Sequence, residues 1–162
     1  MSKKYVETVV FFVFILTFAC KPKTEIYLER GLDILSNKKE VNFDLQKGIT
    51  INEIGVIRDQ KEGIKTLVFK LNNTITKDVF NHINNLGVRV WIVDDNKNKR
   101  IENWDFKPEL TEVNEYQYIL KEIKIKEDQI KRMKIYMFKE INGKKIKIGD
   151  SLTLNKVNTY ND

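Results

Sequence analysis

Hydrophobic and polar residues alternate along most of this chain, a pattern typical of β-strands with one buried face. Asn142-Gly143 lies between two such stretches and favours a hairpin, because a type I′ turn needs positive φ at both central residues. The pattern predicts eight or nine short strands. They fall within residues 41–45, 49–57, 67–71, 88–93, 101–106, 116–125, 133–141, 144–148 and 152–154.

Two segments show helical rather than alternating spacing. Thr24 can cap a short amphipathic helix that includes residues 26–35. Thr76 or Thr74 can begin a second helix, for which Gly87 is placed as the C-terminal cap. Many strands with one or two short helices predict a mainly all-β fold, an antiparallel β-sandwich.

One pair of residues refines this prediction. Leu110 is followed six residues later by Tyr116, which opens a predicted strand. This spacing resembles the tyrosine corner of fibronectin-type and immunoglobulin-like sandwiches. The resemblance implies an immunoglobulin-like sandwich.

The first 20 residues differ from everything that follows. Lys3 and Lys4 form a basic head, an apolar run extends from Val9 to Leu16, and Cys20 follows after Ala19. This arrangement is typical of a secretory signal. A membrane-spanning helix is disfavoured, because residues 6–19 contain a glutamate and fall short of the ~20 apolar residues that a span requires.

The sequence Leu16-Thr17-Phe18-Ala19-Cys20 resembles the lipobox of bacterial lipoproteins, with Thr17 and Phe18 departing from its strict form. The abundance of Lys, Asn and Ile is similar to that of spirochaetal lipoproteins of the Borrelia type. The resemblance implies that Cys20 is acylated and becomes the mature N-terminus. It also implies a signal peptide over residues 1–19 and a lipidated N-terminus with a short tether over 20–24. The remaining chain has a size that suits one domain and contains no Gly/Ser- or Pro-rich linker, so we predict a single β-rich domain over 25–158.

The position of the lone cysteine and the short tether indicate a location for the protein. Cys20 has no cysteine partner, so it cannot form an intramolecular disulfide. A tether of a few residues would hold the domain near the bilayer. We therefore expect a lipid-anchored protein of the cell envelope. Spirochaetal lipoproteins displayed on the cell surface usually have longer tethers, so the resemblance implies the periplasmic face of the outer membrane rather than the cell surface.

Positive charge is concentrated in one part of the chain. The whole sequence carries a net charge of +6, and residues 119–149 contain ten basic and four acidic residues. Lysines alternate there with isoleucines, which predicts a basic strand face comprising Lys124, Lys126, Lys145 and Lys147. Such a face either is simply solvated or binds an anionic lipid, a sulfated glycan or an acidic protein. An exported domain would not meet nucleic acid.

Residues for catalysis are scarce in this sequence. His82 is the sole histidine and Cys20 the sole cysteine, so His-based metal clusters and Cys–His pairs are excluded. No glycine-rich phosphate loop is present. We therefore predict neither enzymatic activity nor a cofactor or metal. Trp91 and Trp104 are a second candidate for ligand contact, although large aromatic residues more often fill a core.

These features predict a non-catalytic binding or adhesin-like role. The alternative from another class is a periplasmic scaffold or assembly lipoprotein that docks to another envelope protein.

Overall fold

The computed structural model describes residues 23–46, 48–58, 63–72, 75–93, 96–126 and 129–158. Cys20 and the predicted signal lie outside these residues. The described part contains two short helices, α1 (Lys23–Glu29) and α2 (Lys77–Phe80). Its nine strands are β1 (Lys39–Gln46), β2 (Ile49–Arg58), β3 (Ile64–Leu71), β4 (Asn85–Val93), β5 (Lys99–Phe106), β6 (Leu110–Val113), β7 (Tyr116–Lys124), β8 (Gln129–Ile141) and β9 (Lys144–Asn158).

The strands form two antiparallel sheets. Sheet A has the order β1-β2-β3-β7-β6, and sheet B has the order β5-β4-β8-β9. The inner faces of both sheets contribute to one hydrophobic core, which includes residues from β2, β3 and β7 and from β4 and β8. The prediction of a mainly all-β, antiparallel sandwich is confirmed.

The strand order also specifies the topology. If β2 to β9 are read as A, B, C, C′, D, E, F and G, sheet A becomes A-B-E-D with β1 added at its edge. Sheet B becomes C′-C-F-G. These are the sheet orders of immunoglobulin-like sandwiches.

Strand β4 shows why the sequence folds in this way. Leu86, Val88, Val90 and Ile92 alternate along it, and each is at most 1% exposed. Alternate residues of a strand point to opposite faces of the sheet, so all four side chains enter the core between the sheets. β4 is therefore a central strand, as its apolar sequence predicted, and it pairs with both β5 and β8.

The predicted hairpin between the last two strands is confirmed. Asn142 and Gly143 have φ angles of 52° and 72° and join β8 to β9. Positive φ at both positions is the signature of a type I′ turn.

Both predicted helices are shorter than expected. α1 ends at Glu29, after which Gly31 and Leu32 adopt positive φ and interrupt the helix. α2 ends at Phe80, and Gly87 lies inside β4 instead of capping a helix. The helical spacing was misleading because Ile83 and Leu86 do not belong to a helix. Ile83 lies in a loop and Leu86 in β4, and both side chains are buried.

The tyrosine corner predicted from Leu110 and Tyr116 is not formed. Tyr116 opens β7, which corresponds to strand E, whereas the corner belongs to the start of strand F. Leu110 lies in β6, the direct antiparallel neighbour of β7. The strand order agrees with the predicted immunoglobulin-like sandwich, but Tyr116 does not have the role on which that prediction was based.

The outer face of sheet A is covered by the chain that precedes β1. We call residues 23–38 the cover segment. Leu28, Leu32 and Leu35 of this segment are at most 4% exposed and form a second apolar cluster with Tyr118 and other outward residues of sheet A. The Tyr118 hydroxyl donates a 2.7 Å hydrogen bond to the Leu28 carbonyl oxygen. Burial raises the pKa of this hydroxyl well above its ordinary value, so it stays protonated as a donor.

Charged residues also join the cover segment to sheet A. Lys38 Nζ lies 2.9 Å from Asp33 Oδ1 and 3.0 Å from Glu53 Oε1, and these contacts raise the pKa of Lys38. Lys70 Nζ lies 3.3 Å from Glu53 Oε2 and donates a 2.9 Å hydrogen bond to the Gly31 carbonyl oxygen. The nearly buried Glu53 is therefore contacted by two lysines, Lys38 from the cover segment and Lys70 from sheet A.

Candidate functional site

The outer face of sheet B, in contrast, has no covering layer among the described residues. Cross-strand partners share a face, so the pairing register assigns the outward residues of each strand. We call these side chains the open face. The open face is formed by the four strands of sheet B. The inner face of the same sheet packs against the hydrophobic core.

The open face has an excess of positive charge. Six basic and two acidic residues occupy its paired positions, a net charge of 6 − 2 = +4. They are Arg89, Lys99, Asp105, Arg132, Lys134, Glu140, Lys145 and Lys147.

Three of these cations lie side by side and form what we call the cationic cluster. Arg89 of β4 pairs directly with Lys134 of β8, and Arg132 lies two residues before Lys134 on the same strand. None of the three forms an ion pair with an acidic side chain of the described residues. Like charges directly opposite each other destabilise a sheet, so the fold itself does not favour this arrangement.

Neighbouring side chains hold the two arginines in place. The guanidinium of Arg132 lies 4.5 Å from the centre of the Trp91 ring, within the range of a cation–π interaction. Arg89 Nε donates a 2.7 Å hydrogen bond to Asn103 Oδ1. Both contacts leave N–H groups with which each arginine can bind a carboxylate, sulfate or phosphate in a bidentate manner.

A second polar group lies further along the open face and is centred on Asp105. The Tyr136 hydroxyl donates a 3.1 Å hydrogen bond to Asp105 Oδ1, and Lys145 Nζ donates a short one to Asp105 Oδ2. Burial, and next the hydrogen bond to Asp105, raise the pKa of Tyr136. The contact with Asp105 also raises the pKa of Lys145. The negative charge of Asp105 is thus paired with Lys145 and does not offset the charge of the cationic cluster.

Gly87 makes this second group possible. Tyr136 crosses β4 above Gly87 to reach Asp105, and a Cβ atom at residue 87 would lie 2.6 Å from the Tyr136 hydroxyl oxygen. Only glycine leaves room for the ring at this distance.

Replacing Gly87 with Ala is expected to lower the free energy of unfolding by about 1–3 kcal/mol, because the new methyl group displaces the Tyr136 ring. Urea unfolding measures this loss. The matched control is the same substitution in a Tyr136→Ala background, where no ring is present and the loss should be much smaller. Equal losses in the two backgrounds would show that the ring contact is not the cause.

The four lysines predicted as one basic face are divided between two ends of the sandwich. Lys124 ends β7 just before β8 begins at Gln129, whereas Lys145 pairs with Glu140, eleven residues along β8. At ~3.4 Å per residue this separation is about 37 Å. Lys126 lies near Lys124 after the end of β7, and Lys147 lies near Lys145 on the open face. A ligand of the open face would therefore meet only Lys145 and Lys147.

The two tryptophans are also separated. Trp91 belongs to the open face, whereas Trp104 pairs with Val88 and packs against the core from the inner face. His82 is exposed in the loop after α2. A cleft of about 310 Å³ lies between α2 and residues 107–110. Lys77, Lys107 and Glu109 are its charged lining residues, and they include no nucleophile–base pair.

Sequence reasoning missed the cationic cluster. Arg89 is separated from Arg132 and Lys134 by more than forty residues, and only the pairing of β4 with β8 brings them together. A partial signal was available in Arg89, a charged residue at the centre of an otherwise apolar strand.

Comparison with protein-family models, with curated proteins and with solved structures finds no match for this chain. In the described part of the chain, neither helix is long and apolar enough to span a membrane. The same residues contain no group of three or more His, Cys, Asp or Glu side chains that could hold a metal ion. The geometry of the open face is therefore the basis on which a function can be proposed.

Proposed function

We propose that this protein is a lipid-anchored, non-catalytic binding domain of the bacterial cell envelope and that its open face binds an anionic ligand. The observation that carries the proposal is the cationic cluster, in which Arg89, Arg132 and Lys134 lie together without acidic partners among the described residues. Clustered cations on a rigid sheet attract anions and orient them by bidentate hydrogen bonds.

The arrangement of the two sheets supports this proposal. The cover segment occupies the outer face of sheet A and begins three residues after Cys20. Three residues extend at most about 10 Å, so an acyl anchor at Cys20 would hold the start of α1 close to the bilayer. The open face is on the opposite side of the sandwich from this segment and is free of it.

The test compares two variants that change charge equally. Lys134→Glu should weaken binding of dextran sulfate, used as a general polyanion, at least about tenfold at physiological ionic strength, because the new carboxylate also neutralises Arg89. Lys124→Glu is the matched control at the far end of the sandwich and should bind like the wild type. Isothermal titration calorimetry measures both affinities.

Stability should respond differently from binding. Lys134→Glu replaces a like-charge pair with an opposite-charge pair across β4 and β8, so its melting temperature should be unchanged or slightly higher. Wild-type protein that does not bind dextran sulfate, or Lys124→Glu and Lys134→Glu proteins that bind it equally, would refute the proposed function.

A further inference from the structure

The residues beside the cationic cluster indicate which kind of anion the open face would bind. Ser151, Thr153 and Asn155 of β9 pair with Tyr136, Lys134 and Arg132 of β8 and therefore share the open face. None of the three has a side-chain hydrogen bond to another described residue. A column of unpartnered hydroxyl and amide groups thus runs beside the cations of β8.

The basic residues extend along the strands beyond the cluster. Arg132 and Lys134 are followed on the open face by Lys147, which pairs with Phe138. Six residues separate 132 from 138, which corresponds to about 20 Å along the strand. A track of this length suits an extended ligand with several charged groups rather than a single small ion.

From these observations we infer that the ligand is a linear acidic glycan whose carboxylate or sulfate groups meet the basic residues and whose hydroxyl groups bind the polar column of β9. This inference rests on the proposed function and specifies its ligand. A glycan alternates charged groups with neutral hydroxyl groups, and the neighbouring β8 and β9 columns present partners for both kinds of group.

The same surface is poorly suited to two other polyanions. A bilayer would need apolar side chains to enter it, and Ile101 is the single large hydrophobic residue that the described residues expose on this face. Single-stranded nucleic acid would need free aromatic rings for its bases. Arg132 occupies one face of Trp91, and Phe138 is only 4% exposed.

The experiment removes the hydroxyl groups and leaves the charge unchanged. The variant combines Ser151→Ala with Thr153→Val, and melting temperature verifies that it remains folded. Binding to four probes is measured by calorimetry: a heparin-type oligosaccharide, its desulfated form, polyglutamate, and vesicles containing phosphatidylglycerol. The wild type should bind the sulfated oligosaccharide most tightly and the desulfated one much more weakly. The variant should lose about fivefold or more in affinity for the sulfated oligosaccharide, with its affinity for polyglutamate unchanged.

Each other outcome counts against a specific part of the argument. The glycan inference would be overturned if the wild type bound polyglutamate or vesicles as tightly as the sulfated oligosaccharide, or more tightly. It would also be overturned if the variant and the wild type had equal affinity for that oligosaccharide. Either result leaves the proposed function standing if Lys134→Glu still weakens binding of dextran sulfate at least about tenfold. Binding of none of the charged probes by the wild type would overturn both.

Discussion

Replacing Leu32 with Ala is expected to lower the free energy of unfolding by about 2–5 kcal/mol. Leu32 is fully buried between the cover segment and sheet A, where it belongs to the same apolar cluster as Tyr118. Shortening its side chain leaves a cavity, and the short cover segment has no other side chain that could move in to fill it. The loss is a large fraction of the 5–15 kcal/mol that is typical of a whole domain.

The control for this experiment is Ile34→Ala. Ile34 belongs to the same segment, but 39% of its surface is exposed, so its replacement should cost well under 1 kcal/mol. Urea unfolding gives both values. Similar losses for the two variants would show that the cover segment is not packed on sheet A. Polyanion binding by folded Leu32→Ala protein should match the wild type, because the open face lies on the other sheet.

Replacing Cys20 with Ser is expected to release the protein almost completely from the membrane. If Cys20 carries two or more acyl chains, each buried methylene contributes about 0.8 kcal/mol, and together the chains hold the protein stably. Serine has no thiol to receive them. Detergent phase partitioning and incorporation of radiolabelled fatty acid measure the effect in intact cells, and Thr24→Ser serves as a control that should behave like the wild type.

A Cys20→Ser protein that incorporates as much fatty acid as the wild type would contradict the proposed anchor. Binding of dextran sulfate by the purified Cys20→Ser protein should be unchanged, since the open face needs no lipid. The two measurements therefore separate the anchoring part of the proposal from the binding part.

The fold was predictable from the sequence where short-range rules decide the structure. Asn142-Gly143 determines a turn by itself, and the alternation in β4 determines which side chains enter the core. Gly87 shows where such rules fail. Its local sequence suits a helix cap, but its structural role is to admit Tyr136, a residue almost fifty positions away.

The candidate site was predictable only in part, for a similar reason. Alternation correctly places Lys145 and Lys147 on an exposed strand face, yet it contains no information about which strands become neighbours. Lys124 and Lys126 follow the same local pattern and lie at the other end of the sandwich. The position of Arg89 opposite Lys134 depends on strand pairing, which a single sequence does not reveal.

The long last strand affects how copies of this protein would meet at high concentration. β9 forms an edge of sheet B over fifteen residues, a length that could serve as a template for a strand from another molecule. Its pairing with β8 shifts at one point, where Tyr136 and Met137 oppose Ser151 and Ile148, and its first residues are rich in lysine. Bulges and lysines both prevent strands from joining edge to edge. Both features therefore make β9 a poor template for a strand from another molecule.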